Sequence, residues 1–285
     1  MMRMLLAILT LAFTSFSVSS ATAQQTIRFP SADGRTTLTG YLFLPNAANG
    51  TQRPAVVLMH GRAGAYSSLA KGQFTAETLS KRHRAWGEML AQAGYIALLV
   101  DGFGPRGYPQ GFPRGSYEDR PAELNEVTVR PRDAYGALAY LRTRRDVAPN
   151  NIALLGWSNG GSATLAALAV DDALTSPAER QFRLGVALYP ACGLKGQFEN
   201  GYRPYAPVSV FIGDADEEVS SKRCAALVEQ SRAAGGRISI QVYPGATHSF
   251  DDPGARRQSN PANADATTDA TNRILQILAQ GLQAR

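Results

Sequence analysis

Apolar and polar positions along this chain follow two rhythms. In short runs such as "PAVVLMHG" (residues 54–61) and "YIALLVDG" (residues 95–102) nearly every position is apolar. Between such runs lie longer segments whose apolar positions recur every three to four residues, the period of a helix. An earlier stretch, "TIRFPSADGRTTLTGYLFLP", alternates with period two on either side of "ADG" and predicts a hairpin of two strands. Further apolar runs predict strands over 151–158, 183–191, 207–216 and 237–246. Helices are predicted over 75–93, with Gly94 as C-cap, and over 131–145, 159–170, 220–236 and 265–283.

Strands that are apolar on both faces cannot border water. Alternating with helices, they predict a mostly parallel sheet covered on both sides. The alternation runs unbroken from residue 54, without a linker or an internal repeat, so one α/β domain is expected over 24–285. Residues 103–129, rich in Gly, Pro and Arg, interrupt it as one long surface loop, a common home for binding residues.

The first residues are expected to lie outside this domain. Arg3 gives a short basic start, an apolar run follows to about Val18, and Ala21 and Ala23 form an A-x-A site, so 1–23 reads as a secretory signal cleaved after Ala23. The run is too short and too rich in Ser and Thr for a membrane anchor. The mature protein is therefore expected in an exported compartment, with the periplasm favoured over the medium. In such a compartment Cys192 and Cys224 become candidates for one disulfide.

Composition narrows the function classes. With 44% hydrophobic and 18% charged residues over 285 positions, the chain is globular and long enough for a large core. The net charge of +6 is spread out, with short clusters only at 81–84 and 142–145. Without interleaved aromatic residues these read as solvated helix faces, His83 among them, and no nucleic-acid partner is expected.

The chemistry centres on "NIALLGWSNGG" (residues 151–161). Gly156, Ser158 and Gly160 make a G-x-S-x-G between a predicted strand and a predicted helix, which is the context a nucleophile elbow requires. The turn strains the serine to expose its hydroxyl and crowds the positions two before and two after it, hence the glycines. A serine needs a base. Of three histidines, only His248 follows it in the chain, and nucleophile, acid, histidine is the order such elbows use. "FIGDADEEV" supplies the acid; Asp216 is chosen for its place in the turn beyond the strand, with Asp214 as runner-up. The backbone N–H groups of Asn159 and Arg62 are the candidate oxyanion donors. His60 and Gly61 read as turn residues, and Trp157 as packing beneath the elbow.

The motifs "HGRAG", "VDGFGPRG", "GWSNGG" and "GDADEEV" with "GATHSF" together resemble the α/β-hydrolase superfamily, and within it the dienelactone hydrolase family, over residues 26–283. The resemblance implies a central sheet of about eight strands, a Ser158–His248–Asp216 triad and no metal or organic cofactor. Family members proper carry cysteine at the elbow, where this chain has Ser158; a serine alcohol suits ordinary carboxylic esters. The expected partner is thus a small ester or lactone. In this fold the strands before Cys192 and Cys224 are neighbours, so the two sulfurs are expected to bond. Phe103, Arg106 and Tyr189 are the candidate substrate-binding residues; Arg106 reads equally as a holder of an anionic group or as a loop-fixing ion pair. A peptidase of the same fold and a catalytically silent binding scaffold are the rival readings.

Overall fold

The computed structural model describes residues 23–46, 51–117, 119–170, 181–193 and 197–282. The expected signal segment therefore lies, except for Ala23, outside the described residues. Eight strands form one sheet: β1 (Ala23–Pro30), β2 (Thr37–Leu44), β3 (Arg53–Met59), β4 (Ile96–Asp101), β5 (Val147–Trp157), β6 (Leu184–Leu188), β7 (Val208–Gly213) and β8 (Ile238–Tyr243). Their order is β1-β2-β4-β3-β5-β6-β7-β8; β2 pairs antiparallel with β1 and β4, and every other pair is parallel. The helices are α1 (Lys81–Gln92), α2 (Arg130–Thr143), α3 (Asn159–Leu168), α4 (Ser221–Ala233), the single turn α5 (Ala255–Gln258) and α6 (Pro261–Gly281).

The winding direction decides where the site falls. From β3 the chain steps through α1 to β4 on one side, then crosses back through α2 to β5 on the other. Right-handed crossovers taken in opposite directions put their helices on opposite faces, and the crevice opens at the strand ends where the direction reverses. That point lies between β3 and β5. Their register pairs Met59 with Gly156, so the turns after the two strands emerge level with each other. At the far side Gly213 pairs with Tyr243, which does the same for the turns after β7 and β8.

The core is the predicted one. Residues 55–59 of β3 and all of β4 and β6 are buried, the pattern of strands covered on both faces. Helix boundaries differ from expectation where a cap overrides periodicity. Helix α1 starts at Lys81 rather than near residue 75 because the Ser80 hydroxyl accepts the His83 amide; a single 3-10 turn occupies Ala76–Thr78. Helix α6 starts earlier than residue 265 because Asn260 caps it, accepting from the Ala262 amide.

His83 corrects the sequence reading. Its neighbours Lys81, Arg82 and Arg84 suggest a solvated face, but the phase of α1 turns His83, Trp86 and Leu90 inward. The imidazole packs 5.4 Å from the Trp157 ring and Nδ1 meets the Ala65 carbonyl at 2.9 Å. Burial, helped by the nearby charges of Arg82 and Arg130, pushes its pKa down to about 4. An unfolded histidine titrates near 6.5, so below that pH the unfolded chain binds a proton that the folded one refuses. Stability is then complete above about pH 6.5 and falls by about 1.4 kcal/mol per pH unit towards pH 4 from this group alone. Urea unfolding is expected to give a stability about 2 kcal/mol lower at pH 5 than at pH 7 from His83. His83→Gln should shrink the pH difference by that amount; an undiminished difference would place the titration elsewhere.

Candidate active site

Strand β5 ends at Trp157 and α3 begins at Asn159, which leaves Ser158 alone in the turn at φ 52°, ψ −114°. A non-glycine residue held there stores about 1–3 kcal/mol of strain, so the surroundings must fix it. They do so through backbone: the Ser158 amide donates to Leu188 O at 2.9 Å, and its carbonyl accepts the Ser162 amide at 2.9 Å. A Cβ on Gly156 would overlap the Gly160 carbonyl, and one on Gly160 would overlap the Met59 carbonyl at the end of β3. The glycines of the motif are spacers for backbone contact.

Three side chains from three separate turns meet at this point. His248 Nε2 lies 2.9 Å from Ser158 Oγ, and Nδ1 lies 2.8 and 3.0 Å from the two carboxylate oxygens of Asp216. With Nδ1–H donated to the carboxylate, Nε2 is left to accept the serine hydroxyl proton. Asp216 Oδ1 also accepts the amides of Glu218 and Val219, at 2.8 and 2.9 Å, which locks the carboxylate in its turn. The runner-up Asp214 faces another way and accepts the Gly245 amide. The His248 amide is held by Glu217 at 2.9 Å, and the Tyr189 ring stands edge-on to the imidazole at 4.8 Å.

The loop after β3 closes the other side. Gly61 lies so near the elbow that a Cβ there would stand 3.5 Å from the Ser158 Cβ. Among the described residues no hydrogen bond is donated by the Arg62 or the Asn159 amide, and both residues line one cavity with Ser158. The side chain of Arg62 is engaged: its guanidinium grips Glu218 at 2.9 and 3.0 Å and donates to Phe112 O. Glu218 in turn lies 3.8 Å from His248 Nε2. Burial alone would raise the Glu218 carboxyl, but the Arg62 hydrogen bonds and the charges of His248, Arg62 and Arg114 hold it below its ordinary value. His60 points into the core, with Nδ1 donating to Gly61 O and Nε2 accepting the Gly102 amide; burial, with Arg130 nearby, keeps its pKa well below 6.5.

A family model described as the dienelactone hydrolase family matches residues 38–282. The chain belongs to the dienelactone hydrolase family. A Bradyrhizobium protein named "Probable 2-oxo-3-(5-oxofuran-2-ylidene)propanoate lactonase" is 25% identical over 56% of this chain. The "Quorum-quenching protein AidA" of Acinetobacter baumannii (strain MDR-ZJ06) is 27% identical over 59% of it. The chain spans 64% and 49% of the lengths of those two relatives. In fold it is similar to a dienelactone hydrolase-like promiscuous phosphotriesterase from metagenomic libraries, with a TM-score of 0.69 at 18% identity, covering 93% of this chain and 100% of that one.

In this dienelactone hydrolase family member, Ser158 stands at the junction of two cavities. One, about 420 Å³, is lined by Ser162, Ala191 and Cys192, by Arg114, Arg120 and Glu126 of the long loop and by Arg223. The other, about 510 Å³, is lined by His248, Ser249, Lys81 and Arg257. The Arg62–Glu218 pair borders both. Cys192 and Cys224 are bonded, their Cα atoms 5.1 Å apart, and they tie the wall of the first cavity to α4.

The three residues expected to bind substrate do not line either cavity. Phe103 is fully buried, edge-on to His60 at 4.5 Å and beneath the Arg130 guanidinium. Tyr189 is fully buried as well; its hydroxyl donates to Asp251 at 2.6 Å. Asp251 also accepts from Trp157 Nε1 at 2.9 Å, so this carboxylate ties the loop of His248 to the residue before Ser158. Arg106 is the loop-fixing ion pair of its two readings, with its guanidinium between Asp33 at 2.7 Å and Asp133 at 2.8 Å. The arginines that reach the first cavity are instead Arg62, Arg114, Arg120 and Arg223. Two of them come from the loop marked as a binding region, but its composition does not say which of its side chains turn inward.

Arg106→Gln is expected to leave the fully buried Asp133 short of its counter-charge and to cost about 3–5 kcal/mol in unfolding experiments. The folded variant should keep its KM for p-nitrophenyl acetate within about twofold. A raised KM without lost stability would return Arg106 to the substrate.

Proposed function

We propose that this protein is an exported serine hydrolase that cleaves a small carboxylic ester or lactone through an acyl-enzyme. The observation that carries the reading is the hydrogen-bonded run from Ser158 Oγ through His248 to Asp216, at a strained turn between two cavities. Ser158 attacks the carbonyl as His248 Nε2 takes its proton, and Asp216 holds the ring and stabilises the imidazolium. The Arg62 and Asn159 amides receive the oxyanion. When the tetrahedral intermediate collapses, His248 returns the proton to the leaving oxygen, and water then repeats the sequence on the ester of Ser158.

His248 lines the larger cavity and not the smaller, so the leaving alcohol is assigned to the former and the acyl group to the latter. The acyl cavity, about 420 Å³ and lined by four arginines with Glu126, Glu217 and Glu218, favours a short acyl group over a long alkyl chain. A lactone keeps its leaving oxygen tethered to the acyl part and would span the junction at Ser158. The name of the Bradyrhizobium relative supports that substrate form. The leader-like residues 1–23 and the Cys192–Cys224 disulfide support action in an oxidising compartment, with the periplasm as our assignment.

The mature protein should hydrolyse p-nitrophenyl acetate and butyrate faster than the octanoate. Ser158→Ala should abolish turnover, and Asp216→Asn should lower kcat on the order of 10⁴-fold by leaving the histidine in the wrong tautomer. Equal rates in Ser158→Ala and the wild type would sink the serine mechanism. Absence of both turnover and fluorophosphonate labelling in the wild type would favour the silent scaffold.

A further inference from the structure

One residue of the acyl cavity lining carries a buried polar atom that this mechanism does not use. Glu126, at the end of the long loop, lines the cavity at only 2% exposure, and its Oε1 is buried without a hydrogen-bond partner among the described residues. A buried acceptor left unmet costs about 1–3 kcal/mol, more for a charged group, and such atoms in a native fold call for a reason. Two other residues of the same lining carry unmet donors. Arg120 Nε is buried without an acceptor, and so is Nδ2 of Asn159, whose Oδ1 is taken by Arg130. All three residues line the cavity into which Ser158 opens, with Asn159 next to it in the chain.

The chemistry of a fitting ligand group follows by elimination. An alkyl group would leave all three atoms unsatisfied. A carboxylate only accepts hydrogen bonds, so it could meet the two donors but would leave Glu126 Oε1 unsatisfied. An ammonium would satisfy Glu126 but would sit among the charges of Arg120 and Arg130, both of which act on that carboxylate. A hydroxyl, the smallest such group, donates one hydrogen bond and accepts others while remaining neutral.

We infer that Glu126, with Arg120 and Asn159, forms a subsite for a hydroxyl group on the acyl part of the substrate, so that the enzyme selects esters or lactones of hydroxy acids. The hydroxyl donates to Glu126 Oε1 and accepts from Arg120 Nε or Asn159 Nδ2. This rests on Ser158 being the nucleophile and on the acyl group entering this cavity.

The test compares ethyl 3-hydroxybutyrate with ethyl 3-methylbutyrate, in which a methyl replaces the hydroxyl at nearly constant volume, on the mature wild type and Glu126→Gln. Fluorophosphonate labelling of Ser158 is run beside it. Sites built to bond a hydroxyl discriminate strongly against the analogue that lacks it, so kcat/KM in the wild type should favour the hydroxy ester on the order of tenfold to a hundredfold. In Glu126→Gln that ratio should fall about tenfold. A wild-type ratio near one, or one that Glu126→Gln does not change, overturns the subsite while labelling and turnover leave Ser158 in place. If Ser158 is not labelled and neither ester is cleaved, the nucleophile assignment fails and takes the subsite with it.

Discussion

The site depends on a contact between two pieces of backbone. Gly160, in the first turn of α3, lies against the Met59 carbonyl at the end of β3, and Gly156 lies against Gly160 across the turn. No side chain fits in either gap. The parallel pairing of Met59 with Gly156 sets the two strand ends level, and the absence of Cβ atoms lets the helix start there. From that one approach follow the strained φ of Ser158, the position of the Asn159 amide and the nearness of the Arg62 loop. The strain is offset by the backbone bonds to Leu188 and Ser162 and by the buried strands beneath.

Around this frame the buried charges fall into two groups. Arg106 sits between Asp33 and Asp133 and lines neither cavity, while Arg82, on the wall of the larger cavity with Asp252, pairs with Asp251 and Asp252. Such pairs cost much to break, which suits loops that must hold still. Nearer Ser158 the pairing is incomplete: Glu126, Arg120 and Asn159 keep unmet atoms, and Arg62 and Glu218 bind each other at the mouth. Unmet buried atoms on three residues of one cavity lining call for a reason, and a ligand supplies one.

The parts of this arrangement that a sequence reader finds are those written locally. The glycines flank Ser158 within five residues, and the apolar runs announce the strands that carry the turns of Asp216 and His248. With three histidines, chain order left one for the position that the fold brings to Ser158. The parts that escape are written at a distance. Arg106 meets Asp33 across 73 residues, and Arg62 meets Glu218 across 156. His83 sits among basic residues, and only the phase set by Ser80 turns it inward. Glu126 and Arg120 lie in a loop without periodicity, so composition marks the region as a binding surface without saying which side chains face the cavity. The disulfide was legible because the expected export and strand adjacency bear on the same pair of cysteines.

The claim on which everything else stands is that Ser158 carries the acyl group. Mature protein mixed with p-nitrophenyl butyrate, quenched in acid within the first turnover and digested, places any covalent intermediate by mass spectrometry. The account predicts one butyryl group on the peptide containing Ser158, absent after a longer chase in buffer. A butyryl group on another residue, or p-nitrophenol release with no acylated peptide at any quench time, would contradict it.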